Sequence, residues 1–492
     1  MGSFWAIVSV PVDAHTHLPV VGMVGGGQLA RMTHQAAIML GQSLAVLAES
    51  PDDSAALVCR DVHIGKPNDL AALRAFAAHC DVLTFDHEHV PGEMLRTLQA
   101  EGVAVYPPPE ALIFAQDKAE MRQRLAAMGA PVPPFRICQS DEMSMVVPAF
   151  AEEVGWPVVV KMASGGYDGH GVWMVDDASE IPPIPAGVTM VLERRAPLIR
   201  ELAAVVARSP FGQAAAWPVV ETVQRDGICV EVIAPAQGLD PARAAAASQL
   251  ALRLAAELGV VGVLAVELFE VPVSDRAPDG FTVNELAMRP HNSGHWSQDG
   301  SVTSQFEQHL RAVLDYPLGS TKLTAPVTVM ANILGGADDS AGVRRDSDGQ
   351  DSIGRDSGGS GAPIGMDERI HHLAARFPDV KVHLYGKSFR PGRKLGHVNV
   401  VGSDAAALYQ RARLAAQWLG SGVWADGFDV HGQADGTDRQ VVLRADGLTG
   451  ARPNLSDGHS LSERHSLSER HSLSERPNLS EAPNLSERKG QV

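Results

Sequence analysis

The sequence predicts a mixed α/β and α+β protein on three observations. Strand and helix patterns alternate through the N-terminal part, a triple glycine joins the first strand to the first helix, and later apolar strands end in carboxylates. Residues 19–24 (PVVGMV) read as a short buried strand running into Gly25, Gly26 and Gly27. An amphipathic helix follows, with Leu29, Met32, Ala36 and Met39 or Leu40 on one side. The next strand is SLAVLAE (43–49); DVLTFD (81–86), a helix over 91–101 and VAVYP continue a doubly wound α/β start. YPPPEAL interrupts the pattern, and a charged helix follows near 116–129. PVVVK opens a second region of strands and glycine turns. It contains VGVLAVELFEV (260–271) and FTVNELA (281–287), and a helix near 303–315 closes it.

At 492 residues, with 45% apolar and 20% charged residues, the chain has a soluble globular composition and room for about three domains. A net charge of -17 argues against nucleic acid or an anionic membrane as partner, while leaving room for a local basic pocket. Cys59, Cys80, Cys138 and Cys229 lack CxxC spacing, so neither a disulfide framework nor a zinc cluster is indicated. No apolar run reaches membrane-spanning length, and MGSFWAIVSVPV lacks the basic n-region of a secretory signal; a cytoplasmic protein is expected. Residues 337–365 are Asp, Ser, Gly and Arg with almost no large apolar side chain, and are expected to be a disordered insertion. Six hexads from 453 to 488 (PNLSDG, HSLSER three times, PNLSEA, PNLSER) carry one leucine each, too thin a core for a solenoid, so a disordered tail is expected.

Three motifs carry chemistry. DAHTH (Asp13 to His17) has the His-x-His spacing of metal-dependent amidohydrolases, but it precedes the first strand, and a polar N-terminal extension is the alternative. GGGQLA (Gly25 to Ala30) fits G-x-G-x-x-A between strand and helix, with Glu49 closing the next strand, as in a dinucleotide site; packing, or a different phosphate, is the alternative. The third is a constellation. Lys161 ends an apolar strand before a glycine loop, and Glu193, Glu201, Glu267, Asn284 and Glu285 follow at strand ends. Carboxylates so placed are costly without a cation, and Glu267 and Glu285 with Asn284 suit Mg²⁺ bridging nucleotide phosphates. Lys161 suits the same phosphates as a point charge beneath a glycine loop, and Glu193 and Glu201 suit adenine or ribose as hydrogen-bond acceptors.

The motifs GGGQLARM (25–32), FDHEHV (85–90), GGYDGHG (165–171), NELAMRPHNSGHW (284–296), SQFEQHLRA (304–312) and YGKSFRPGRKLGHVN (385–399) together resemble one family. It is the ATP-grasp enzyme N5-carboxyaminoimidazole ribonucleotide synthetase, of the PurK type. The motifs stand in family order over 21–403, the insertion excepted. The resemblance implies an extension at 1–18, a Rossmann-like domain at 19–115, a two-lobed ATP-grasp domain at 116–325, a small C-terminal domain at 326–445 and a tail at 446–492. It also implies ATP and Mg²⁺ as cofactors, 5-aminoimidazole ribonucleotide and bicarbonate as substrates, carboxyphosphate as intermediate, and a homodimer.

By position, the resemblance implies that Lys118, Lys161, Glu193, Arg194, Arg195, Ala196, Glu201, Gln224, Asn284 and Glu285 contact ATP. The loop of Gly166, Tyr167, Asp168, Gly169, His170, Gly171 and Val172 would cover the phosphates, and Glu267 and Glu285 would hold the metal. Glu88, Arg289, His291, Asn292, Ser293, Lys387 and Arg393 would surround the ribonucleotide. Tyr167, Asp168 and Lys394 are the implied catalytic group, with Asp168 taking the amine proton. Lys118, Gln224, Met288 and His170 depart from the usual arginine, histidine, proline and arginine; His170 implies reduced or more pH-dependent turnover. Two alternatives stand beside this reading: another ATP-grasp enzyme, such as a formate-dependent glycinamide ribonucleotide transformylase, or a weakened ATP-grasp scaffold that only binds.

Overall fold

The computed structural model describes residues 13–166, 170–336, 344–345, 351–352 and 364–428. The alternating N-terminal segments form a four-stranded parallel sheet in the order Asp61–Ile64, Ser43–Ala48, Val20–Val24, Val82–Phe85. Val20–Val24 is buried along its whole length, as expected of a central parallel strand covered on both faces. Helix Gln28–Leu40 buries Leu29, Met32 and Ala36; Leu40 packs against the same cluster, whereas Met39 is 85% exposed. That cluster also contains Phe306 and Leu310 of helix Gln305–Val313, so the first helix ties the N-terminal sheet to the centre of the molecule.

The charged helix expected near 116–129 is Lys118–Ala127, and the segment read as an interruption before it forms a helix of its own, Pro109–Gln116. Asp117 between them is extended, and its carboxylate accepts the N–H groups of Ala119 at 2.8 Å and Glu120 at 3.1 Å. Asp117 therefore ends an apolar helix and caps the charged one that follows.

Two sheets follow. The smaller has the antiparallel order Phe135–Gln139, Thr189–Arg194, Val158–Met162, Val172–Val175, and helix Met143–Val154 covers it with Met143, Val147 and Phe150. The larger has nine strands, running Phe281–Ala287, Gly262–Glu270, Arg200–Arg208, Val220–Arg225, Ile228–Ala234, Val327–Leu334, Lys394–Gly402 and Lys381–Leu384, with Ala214–Ala216 on the flank of Arg200–Arg208. It passes from the central region into the C-terminal one through the antiparallel pairing of Ile228–Ala234 with Val327–Leu334. Helices Met366–Arg376 and Ala405–Ser421 close that end over Leu373, Trp418 and Leu419.

Candidate functional site

The two sheets and the N-terminal domain face one cavity of about 1160 Å³. Val159 lines it from the smaller sheet, Phe269 and Leu286 from the larger, and Leu198 from the connection, giving one part apolar walls suited to a planar base.

Lys161 ends Val158–Met162, and its ammonium lies 2.7 Å from Glu193 and 3.3 Å from the Asn284 side-chain oxygen. Glu193 is only 3% exposed, and its other oxygen takes Arg122 Nε at 2.5 Å. Burial alone would raise the Glu193 carboxyl; Arg122 and Lys161 outweigh it and hold the group at about 2. Both its oxygens are thus engaged by cations where Glu193 lines the cavity, and Arg194, Arg195 and Ala196 continue the lining beyond it. Arg122 also donates to the Asn284 carbonyl at 2.6 Å.

Glu267 and Glu285 are cross-strand partners, with a register shift just after Glu267. Burial, then Glu285 and Glu201, push the Glu267 carboxyl up to about 8. Two acids facing one another form an oxygen-rich set short of positive charge, which fits a hard divalent cation; Asn284 turns its Nδ2 to Glu267 at 3.4 Å and its oxygen to Lys161 at 3.3 Å. Lys118 compensates part of it, at 2.8 Å from Glu285. Glu201 and Gln224 also line the cavity, and burial raises the Glu201 carboxyl.

The glycine loop begins under restraint. Lys118 N donates to the Ala163 carbonyl at 2.7 Å, Ser164 Oγ donates to Asp117 at 2.9 Å, and Gly165 takes φ +81°. Gly166 and Val172 line the cavity from either end of the loop; His170 and Gly171 do not. Tyr167, Asp168 and Gly169 lie outside the described residues, as do nearly all of 337–365 and the whole hexad tail.

The other end of the cavity is basic and imidazole-rich. Arg289 donates to Glu88 at 2.7 Å, and His291 lies 3.4 Å from Glu267 and 2.9 Å from Ser293 Oγ. Burial, then Arg289 and Lys394, lower His291 to about 3, so its ring is neutral. Asn292 and Lys394 line the cavity. Ser293 lies beneath the surface, Lys387 reaches Gln28 at the cavity edge, and Arg393 folds back onto Ser388 Oγ at 2.8 Å.

The N-terminal motifs resolve differently. The Gly27 N–H donates to Asp86, whose other oxygen accepts from Ala30 N at 3.3 Å, and a Cβ on Gly27 would lie 2.2 Å from that carboxylate. The chain's own Asp86 therefore occupies the helix N-terminus where a dinucleotide pyrophosphate would sit. In DAHTH, Asp13 caps an exposed turn by accepting the N–H groups of His15 at 2.8 Å and Thr16 at 2.7 Å. Among the described residues no cluster of three His, Cys, Asp or Glu is placed to hold a metal.

The sequence assigned no role to Arg122, Asp86, Gln305 or His295, although the last three lie within FDHEHV, SQFEQHLRA and NELAMRPHNSGHW. Arg122 carried a signal, since it falls on the same stripe as Ala119 and Leu125, all buried.

A cleft whose lysine comes from one sheet and whose acids come from another is the arrangement of an ATP-grasp enzyme, and the ATP-grasp domain family matches residues 123–306. The ribonucleotide synthetase preATP-grasp domain matches 18–116, and the phosphoribosylaminoimidazole carboxylase C-terminal domain matches 328–411. The N5-carboxyaminoimidazole ribonucleotide synthase of Mycobacterium tuberculosis is 58% identical over 423 residues, covering 85% of this chain and 91% of the relative. That of Corynebacterium ammoniagenes is 46% identical, covering 84% and 95%. Among solved structures, an Aspergillus clavatus synthase in complex with ADP and 5-aminoimidazole ribonucleotide is 29% identical with a TM-score of 0.67, covering 82% of this chain and 97% of that one. The chain belongs to the N5-carboxyaminoimidazole ribonucleotide synthase family. It is accordingly an ATP-dependent ligase of purine biosynthesis.

Proposed function

We propose that this chain carboxylates the amine of 5-aminoimidazole ribonucleotide with bicarbonate and ATP, through carboxyphosphate. The observation that supports it best is that Lys161, Glu267 and Glu285 share one continuous cavity with Arg289 and His291, with room for a nucleotide and a second ligand side by side. Bicarbonate is a poor electrophile; phosphoryl transfer from ATP to its oxygen makes a mixed anhydride, which releases CO₂ and phosphate beside the amine. The amine nitrogen bonds to the carbon and loses a proton, which Asp168 is placed by resemblance to take. Lys161 steadies the nucleotide phosphates, and the two-lobed cleft excludes water from the anhydride. Glu267 and Glu285 would hold Mg²⁺, which would neutralise phosphate charge. Arginine and lysine at the far end, from Arg289, Lys387, Arg393 and Lys394, suit the ribonucleotide phosphate.

We also infer a cytoplasmic homodimer. Four free cysteines fit a reducing compartment, and sedimentation decides the dimer. The test of function is ADP release in bicarbonate buffer with and without 5-aminoimidazole ribonucleotide. Release that needs both is expected. Formate replacing bicarbonate would move the chain to another ATP-grasp activity, and nucleotide binding without turnover would make it a binding scaffold.

A further inference from the structure

Much of the ribonucleotide end is a loop, 288–296, whose only regular element is the short turn Asn292–Gly294. Its shape is held from below by Gln305, the first residue of helix Gln305–Val313 and 0% exposed. The Gln305 Oε1 accepts His291 N–H at 2.9 Å, and its Nε2 donates to the His291 carbonyl at 2.8 Å and to His295 Nδ1 at 2.9 Å. Its own backbone N–H donates to Ser297 Oγ at 2.9 Å, and that hydroxyl donates to the Gly294 carbonyl at 2.6 Å. Gly294 lies so close that a Cβ would stand 2.2 Å from Gln305 Oε1.

A primary amide has two N–H donors and one carbonyl, and here all are engaged. Turning it over would set its NH₂ against the His291 N–H and its oxygen against the His291 carbonyl, so one orientation alone satisfies the loop. That orientation decides the chemistry of a neighbour. With an N–H of Gln305 pointing at Nδ1, His295 must offer a lone pair there and carry its ring proton on Nε2. His295 is 1% exposed yet lines the cavity, and it is packed on its other side by His397 at 5.0 Å and Phe306 at 5.6 Å between ring centres.

We propose that Gln305 is a positioning residue of the ribonucleotide end. It fixes the loop at His291 and locks His295 as the Nε2–H tautomer, so that His295 presents one imidazole N–H donor to an oxygen of the bound ribonucleotide. The substrate half of this rests on the reading of that end given above; the tautomer half does not.

The experiment uses the full-length enzyme with ¹⁵N-labelled histidine. His295 is assigned by the signal lost in His295→Gln, and its tautomer is read in the resting protein. The Nε2–H form is expected; an Nδ1–H form in the wild type overturns the proposal outright. Gln305→Glu keeps the size but offers at most one O–H, which cannot serve the His291 carbonyl and His295 Nδ1 together, so the paired amide contact that fixes the tautomer is lost. The ring signature should change, and KM for 5-aminoimidazole ribonucleotide should rise about tenfold or more while KM for ATP stays within about twofold. An unchanged ribonucleotide KM, or an equal loss toward both substrates, sinks the positioning role. If Gln305→Glu does not fold, His295→Gln decides the substrate half by the same KM comparison. Absence of any ribonucleotide-dependent turnover in the wild type would refute the proposed function, while the tautomer measurement still stands or falls alone.

Discussion

Arg122 and Lys161 share one buried carboxylate: Glu193 meets Arg122 Nε at 2.5 Å on one oxygen and Lys161 Nζ at 2.7 Å on the other. A helix side chain that touches no part of the cavity thereby fixes the cation that does. Breaking a buried pair by removing one partner costs more than the pair itself contributes, because a charge is left without compensation.

Arg122→Met should therefore destabilise the fold by roughly 3–5 kcal/mol and weaken ATP binding together. Urea unfolding and nucleotide titration on the same sample check it. Unaltered ATP affinity in a destabilised Arg122→Met protein would show that Lys161 needs no anchor.

The same triad gives an acid dependence. Glu193 is held at about 2 against an ordinary 4.5, so its ionised form favours the folded state. The contribution is fully present above 4.5 and is lost as pH falls from there through about 2. At about 1.4 kcal/mol per pH unit it amounts to about 3 kcal/mol. Glu193→Gln should flatten the acid limb of the stability profile; an unchanged limb refutes the assignment.

Glu267 predicts the opposite slope. Its folded value of about 8 lies above an ordinary 4.5, so the folded apo-protein holds the extra proton and loses stability as pH rises across that window. The Mg²⁺ that accompanies ATP would bring the missing positive charge if these acids hold it, so the gain in melting temperature on adding MgATP should widen from about pH 6 to about pH 9. Glu267→Gln should abolish the widening. A gain independent of pH in the wild type would mean that these acids do not hold the metal.

Asp168→Asn separates proton handling from phosphoryl transfer. MgATP should bind almost normally while carboxylation falls about 10²-fold or more. Lys161→Ala should instead raise KM for ATP. Equal loss of nucleotide affinity in both would reduce Asp168 to a loop-ordering residue.

The segment after helix Ala405–Ser421 is the place where truncation should begin to matter. Trp424 stacks on Trp418 at 4.7 Å, and the Arg376 guanidinium lies 4.2 Å from the rings of both Trp424 and Phe428. Deleting 449–492 should leave the melting temperature unchanged, whereas deleting from 423 onward should lower it by several degrees, on the order of losing a buried Trp. A large drop from the shorter deletion would show that the tail packs on the body.

Three strands of the N-terminal sheet were legible because buried parallel strands are continuous apolar runs. The edge strand Asp61–Ile64 is partly exposed and carries no such run, and VAVYP makes only an isolated bridge to Leu83. Lys161, Glu267 and Glu285 were legible because a charge stands out in an apolar strand, though the two acids lie inside Gly262–Glu270 and Phe281–Ala287 rather than at their ends. Helix Pro109–Gln116 was hidden because the prolines at 107–109 read as an interruption, although proline is tolerated in a helix's first turn. Asp86 and Gln305 escaped for a different reason. Asp86 meets Gly27 from 59 residues away, and no local pattern announces that a carboxylate will close a glycine turn. Gln305 reads as an ordinary first-turn polar residue until the loop fourteen residues earlier is laid on it.

The nine-stranded sheet has a consequence for how this enzyme can be taken apart. The C-terminal domain, as its family match delimits it, begins at 328, within Val327–Leu334, whose backbone is hydrogen-bonded to Ile228–Ala234. Excising the domain there would cut no flexible joint. It would unzip a ladder and leave two raw edges, each an invitation to pair with another chain. The natural unit for a crystallographer or a protein engineer is the whole span, and a severed half would be handled as an insoluble fragment.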